Sequence, residues 1–242
     1  MSGGRVPGEA APASLIELAS DYYRAAGRFA WRFARGKLAG DPVFAAILAQ
    51  GLLSGRTRIL DLGCGQGLLA AWLLAAQVSE QRGWWPLGWP PAPQPQSLVG
   101  VEILPREVER AHLALGTRVR IVHADFRAVD YGPADAIVML DVLHYNDFAS
   151  QEAVLARARA ALAPGGVLLL RVGDAAGGVR FGLGLLLDWT VALARRHRPV
   201  RFCCRPLPEW LELLGRLGFV TRAVPMSAGT PFANFLLIGA PA

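Results

Sequence analysis

A short apolar stretch from Arg58 runs into Asp61-Leu62-Gly63-Cys64-Gly65-Gln66-Gly67 and continues directly as an apolar helical stretch from Leu68 to Val78. A strand that breaks into alternating glycines and resumes as a helix leaves few folds open. Ligands of open α/β sheets bind at the carboxyl ends of strands, where glycines let the backbone approach the ligand and the next helix offers free amides. Gly63, Gly65 and Gly67 fit that role. A dinucleotide fingerprint would place its third glycine at position 68, which is Leu68, so the spacing departs from the hydride-transfer pattern.

The rest of the chain supplies the sheet that such a turn needs. Strands are expected at Leu98 to Glu102, Val119 to His123, Ala136 to Leu140 and Val167 to Val172, with helices near Arg106 to Leu115 and Gln151 to Ala163. Pro164-Gly165-Gly166 reads as a sharp helix-to-strand stop. Alternating strands and helices imply a parallel sheet covered on both faces. After Val172 come a very apolar helix around Val179 to Arg196, an amphipathic one from Pro208 to Leu217, and strands near Val220 to Val224 and Asn234 to Ile238. The last two read as an antiparallel edge hairpin. Ahead of the first strand, Ser14-Leu15-Ile16-Glu17 reads as a capping box opening one long helix to about Lys37, and Asp41-Pro42 as the start of a second. The stretch 79–97, with Trp84, Trp85, Trp89 and alternating Pro and Gln, reads as an exposed loop.

The expected architecture is therefore one α/β unit: a tail and helical cap over 1–56 and the sheet domain over 57–242, with a helical lid region at 177–217. With 53% hydrophobic and 18% charged residues the chain has ample apolar material for a large core. The net charge of +6 comes from arginine spread along the chain, since Lys37 is the only lysine, so nucleic acid is a disfavoured partner. Three cysteines, two of them adjacent at Cys203 and Cys204, do not form a disulfide framework, and a cytoplasmic setting is expected. No signal peptide or transmembrane segment is expected from the pattern.

The turn resembles the first motif of class I S-adenosylmethionine-dependent methyltransferases, an acidic residue followed by Gly-x-Gly-x-Gly, and the resemblance extends from Asp61 to about Val172. It implies a Rossmann-like sandwich, a mostly parallel seven-stranded sheet with an antiparallel C-terminal hairpin, and S-adenosylmethionine as cofactor. Asp61, Gly63, Cys64, Gly65 and Gly67 would form the cofactor turn. Glu102, closing Gly100-Val101-Glu102-Ile103, would accept from the ribose diol, with Ile103 on one face of the adenine ring. Asp125 would accept from the adenine amino group and Phe126 would contact the ring, against the plainer reading of a cap and a core residue. Leu140-Asp141-Val142-Leu143-His144-Tyr145 would bring donor and acceptor together, with Leu140 beside the cofactor. His144 is the candidate base, or else a histidine lining the cleft. Asp141 would bind a backbone amide or support His144.

Tyr22, Tyr23 and Tyr145 are candidates for shaping the acceptor pocket, against simple packing. The fourth motif lacks the Asn/Asp-Pro-Pro-Tyr pattern of base and glutamine methylation, and the sequence shows no metal-ligand spacing. The greasy stretch from Phe181 to Trp189 points to a lipophilic acceptor, aromatic or acyl, or with the tryptophans to peripheral membrane contact. Arg24, Arg28, Arg32 and Arg35 fall close to one face of the first helix. The expected reaction is methyl transfer from S-adenosylmethionine to a small or lipophilic acceptor, on oxygen, by in-line displacement. The alternatives are an aminopropyl transferase on the same fold, or a non-catalytic membrane- or partner-binding protein that keeps it.

Overall fold

Seven strands pair in the order β3-β2-β1-β4-β5-β7-β6, the first five parallel and β7 antiparallel to both neighbours. They are β1 (Arg58–Leu62), β2 (Ser97–Glu102), β3 (Arg120–His123), β4 (Ala134–Leu140), β5 (Leu162–Gly173), β6 (Phe219–Pro225) and β7 (Asn234–Pro241). The helices are α1 (Ala13–Asp21), α2 (Arg28–Gly40), α3 (Pro42–Ala49), α4 (Leu68–Gln81), α5 (Pro105–Leu115), α6 (Phe148–Ala161) and α7 (Leu207–Arg216). This computed structural model describes residues 12–178, 202–230 and 233–242. The apolar helix expected at Val179 to Arg196, and the greasy stretch within it, lie outside the described residues.

Strand period explains why the central strands read as continuous apolar runs. Successive side chains alternate between faces, so a strand covered on both sides needs apolar residues at every position. Ile59 joins a core with α4, α5 and the cap, whereas Leu60 and Leu62 join a second core with α6 and α7. In β5, Leu169 faces the first core and Leu168, Leu170 and Val172 the second. The switch of strand order falls at β1, whose partners are β2 on one side and β4 on the other. Its carboxyl end is where such sheets bind ligands.

Three local expectations need correcting. The single cap helix from Ser14 to Lys37 is two helices, parted by a 3-10 turn at Tyr22–Arg24 and by Gly27 at φ 97. Glycine tolerates that conformation and an α-helix does not contain it. The capping box is not formed: α1 starts at Ala13, and Pro12 in the capping position makes no side-chain cap. The break also takes Arg24 off the shared helix face, where it pairs with Asp21 at 2.8 Å. Asp41 does cap α3, accepting from the Val43 amide at 3.2 Å.

The Trp/Pro-rich stretch is not uniformly exposed. Trp84 is 52% exposed and Leu87 protrudes fully, but Trp89 is 7% exposed and meets Trp85 edge-on at 5.5 Å. Prolines remove backbone donors, and side chains supply what secondary structure cannot. Trp85 Nε1 donates to the Pro90 carbonyl, Gln77 to that of Pro93 and Ser54 to that of Pro91. The stop at Pro164-Gly165-Gly166 is a bulge within β5: Ala134 already pairs with Leu162, and regular register resumes at Val167. The helix expected at Pro208 to Leu217 is found as α7, which packs Trp210, Leu213 and Leu214 into the second core. Among the described residues no helix is long and apolar enough to cross a membrane.

Candidate active site

The glycine turn leaves β1 with Gly63, Gly65 and Gly67 at φ 75, 56 and 80, all in the left-handed region. At Gly63 the requirement is also steric, because an added Cβ would lie 2.3 Å from Val142 Cγ2. Gly100 makes room in the same way for Cys64, whose Sγ an added Cβ would meet at 2.7 Å. The Cys64 thiol is buried, and burial first, then Asp61 and Glu102, push its pKa up. It is a packing residue and no thiolate.

Glu102 ends β2 beside the turn. Its Oε2 accepts from the Gly65 amide at 2.8 Å, and its Oε1 from the amides of Ile103 and Leu104, both at 2.9 Å. These three donors fix the carboxylate and fill three of its roughly four lone-pair positions. Ile103 stands next to it with 48% of its surface exposed. Asp61 is only 5% exposed, and its carboxylate makes no hydrogen bond or ion pair with any described residue. Burial, and secondarily the charge on Glu102, raise its pKa to about 7.

The structure places Asp125 and Phe126 differently from the adenine-binding expectation. Both Asp125 oxygens are gripped by the Arg127 guanidinium at 2.6 to 3.0 Å, and Oδ1 also accepts the Arg127 amide at 2.8 Å. That hydrogen bonding holds the Asp125 carboxyl below its usual range. Phe126 is buried in the second core, and its carbonyl accepts from Tyr131. Phe126 fits the core reading, whereas Asp125 caps no helix and closes a local turn onto Arg127. The sequence signal was Arg127, two residues on, where an aspartate side chain forms a local turn.

At the end of β4, Leu140 is half-buried and in register with Arg171 of β5. Asp141 adopts φ 57, the one positive φ at a non-glycine among the described residues. Its carboxylate accepts Arg171 Nε at 2.5 Å and Arg171 Nη2, while Arg171 Nη1 reaches Asp41. Lys37 Nζ lies 2.7 Å from Asp41 and 3.3 Å from Asp141. Burial alone would raise the Asp141 pKa, but Arg171 and Lys37 outweigh it and hold the carboxyl well below the ordinary range. Asp141 is thus engaged by two cations, and no backbone amide is among its partners. The sequence shows Asp41 only as a helix start and Lys37 only as the lone lysine and does not join them to Arg171, though a lone arginine in Leu168-Leu169-Leu170-Arg171-Val172 calls for a buried partner.

His144 sits in the 3-10 turn Leu143–Tyr145, its ring 4.3 Å from Tyr145 and 5.5 Å from Phe202. Burial dominates its titration and takes the pKa down to about 4, Asp141 opposing and Arg171 adding to the effect. The imidazole is neutral at pH 7, able to accept a proton but weakly basic. Its carbonyl accepts the Cys203 amide at 2.9 Å, and Gln151 ties the Cys203 carbonyl at 2.7 Å, so the chain at 202–205 is pinned to this turn. Of the other tyrosines, Tyr23 is fully buried and donates to the Gln66 carbonyl at 3.0 Å, behind the glycine turn and not in an open pocket. Tyr22 lies under the Arg118 guanidinium, 5.1 Å from its ring centre.

A family model described as a methyltransferase domain matches residues 23–224. Carboxy-S-adenosyl-L-methionine synthase from Chromohalobacter salexigens is 35% identical over 129 residues, covering 51% of this chain and 43% of that protein. The synthase of the same name from Aliivibrio fischeri is 30% identical over 129 residues, covering 51% of this chain and 48% of that protein. The match spans about half the length of these relatives. Among solved structures, an O-methyltransferase family protein from Burkholderia thailandensis superposes with a TM-score of 0.60 at 20% identity, over 90% of this chain and 62% of that one. Magnesium protoporphyrin IX methyltransferase from Synechocystis, with bound S-adenosylhomocysteine, superposes at 0.58 with 19% identity, over 92% and 94%. At these identities the structural likeness speaks for the fold.

Proposed function

The chain belongs to the methyltransferase domain family, and from that premise we propose that it transfers the methyl group of S-adenosylmethionine to the oxygen of a small, lipophilic acceptor. The carrying observation is Asp61, a buried carboxylate without a described partner beside the ordered carboxylate of Glu102. Two neighbouring acids in a buried site are costly unless a cation joins them. S-adenosylmethionine is such a cation, and when bound it supplies an electrophilic methyl group. Asp61 faces its positive charge, Glu102 takes a ribose hydroxyl, and Ile103 covers an adenine face. The left-handed glycines bring the backbone close to the ligand. Asp125 remains a contributor to the adenine end only if Arg127 lets go of it.

Methyl transfer is an in-line displacement that asks the protein for alignment and, with a protonated acceptor, for a base. His144 with a pKa of about 4 is a weak one. The acceptor oxygen that suits this pocket is therefore already ionised near neutral pH, as in a carboxylate or an acidic enol or phenol. His144, Tyr145 and Phe202 offer it an aromatic wall. Magnesium protoporphyrin IX methyltransferase, whose name gives it a small-molecule acceptor, shares this fold.

A second reading, favoured by the 35% identity to a carboxy-S-adenosyl-L-methionine synthase, is that the cofactor itself is remodelled at this site. Calorimetric titration of the purified protein with S-adenosylmethionine and S-adenosylhomocysteine, with NAD as control, tests the shared premise. Both the sulfonium and its thioether product should bind, and Glu102→Ala should weaken them by about 1.5 to 3 kcal/mol. A folded protein that binds neither sinks both readings. Mass spectrometry then separates them: a methylated acceptor supports the first, a carboxylated cofactor the second.

A further inference from the structure

The buried charges at the ends of β4 and β5 do more than neutralise one another. Neutralising Asp141 needs only a cation nearby, but the arginine fork grips both carboxylate oxygens and so fixes orientation as well. The residue it orients is the one held at φ 57. Outside glycine that conformation is uncommon, and aspartate is among the residues that adopt it when its carboxylate is held by hydrogen bonds. Two things follow the Asp141 turn directly. Val142 leans on Gly63 so closely that no Cβ fits between them, and His144 comes within electrostatic reach of both Asp141 and Arg171. From the cap, Lys37 and Asp41 complete the same group, so α2 and α3 are tied to the point where the cofactor turn and the acceptor side meet.

We propose that Arg171 is a positioning residue, whose fork on Asp141 sets the 141–142 turn against Gly63 and thereby shapes the cofactor side of the site. The proposal rests on reading the glycine turn as the S-adenosylmethionine site. Arg171 touches neither cofactor nor acceptor in this role; it acts through Asp141 and Val142.

Two variants test it, with S-adenosylhomocysteine as the probe. Arg171→Lys keeps a buried cation but cannot grip two oxygens at once. Asp141→Gly can adopt φ 57 without strain but removes the carboxylate, so the fork no longer holds the 141–142 turn in place. Affinity is measured by calorimetry, and folding by thermal unfolding of the same samples. Positioning predicts that both variants fold and that both bind about tenfold or more weakly than the unmodified protein. A merely structural tie would lower the unfolding temperature and leave affinity unchanged in the folded variants, and that result overturns the proposal. If the unmodified protein binds no S-adenosylhomocysteine, the cofactor reading itself fails and takes this one with it.

Discussion

The Tyr23 hydroxyl, on a fully buried ring, donates to the carbonyl oxygen of Gln66 at 3.0 Å. Gln66 answers with its own Nε2, which donates to the Ala30 carbonyl at 3.1 Å. The helical cap therefore holds the glycine turn from behind at two points, although 43 and 36 residues separate the partners in sequence. A buried hydrogen bond is worth little net, but removing one partner strands the other.

Tyr23→Phe should destabilise the protein by about 1 to 3 kcal/mol, because the Gln66 carbonyl is left buried without that donor. Denaturant unfolding reads the change directly. S-adenosylhomocysteine binding should weaken in the same variant, since the turn loses its backing. Unchanged stability and unchanged affinity together would mean that the cap merely rests on the turn.

Gly63 and Gly65 separate strain from collision. Gly65→Ala meets no atom within 4 Å, so only the left-handed backbone at φ 56 opposes it, at about 1 to 2 kcal/mol. Gly63→Ala adds a clash with Val142 and should cost roughly 1 to 3 kcal/mol more. The double variant Gly63→Ala with Val142→Ala should recover part of that difference, since the Val142 Cβ stays 2.8 Å from the added Cβ, and a thermodynamic cycle of unfolding free energies measures it. Strict additivity would show that Val142 is not what excludes a side chain at Gly63.

Trp89 and Trp84 sit five residues apart with opposite surroundings, 7% and 52% exposed. Trp89→Ala should cost about 3 to 5 kcal/mol, the usual loss for a large buried aromatic. Trp84→Ala should stay within about 0.5 kcal/mol. Thermal unfolding of the two variants distinguishes them, and equal effects would contradict the packing of this loop.

The legible part of this chain was whatever repeats locally. Apolar runs such as Ile137-Val138-Met139 and the glycine turn have a period or a spacing, and the edge hairpin β6–β7 followed from two strands joined by a short loop. What escaped depends on distant partners. Arg171 and Asp41 are 130 residues apart in sequence, and only the fold shows that they share one ion group. The break in the cap at Gly27 was missed because the glycine lies inside a plausible helical period, and a single glycine costs a helix only about 1 kcal/mol. Trp89 was misplaced for the opposite reason: a proline-rich stretch reads as surface, whereas side-chain donors from Gln77, Trp85 and Ser54 satisfy its carbonyls and hold it down. The motif order points Asp125 toward adenine, while its fork with Arg127 is set by a neighbour whose side-chain direction the sequence does not give.

Asp61 should impose two pH dependences of opposite sign. Its carboxyl pKa in the folded chain is raised to about 7, from an unfolded value near about 3.9. Between those values the folded state holds a proton that the unfolded state releases, so stability falls as pH rises through this window and settles at its lowest level above it. The ligand works the other way. A cation held by Asp61 needs the ionised carboxylate, so affinity should drop as pH falls below about 7, and binding near that pH should release a proton. Unfolding temperatures measured from about pH 5 to about pH 8, with and without S-adenosylmethionine, display both slopes. Asp61→Asn cannot ionise, and it should flatten the unliganded curve while weakening the cofactor at high pH. If the variant and the unmodified protein keep the same slope, a different group carries the proton. Asp61 would then be a buried acid that the cofactor does not reach, and the placement of the positive charge at the glycine turn would have to be abandoned.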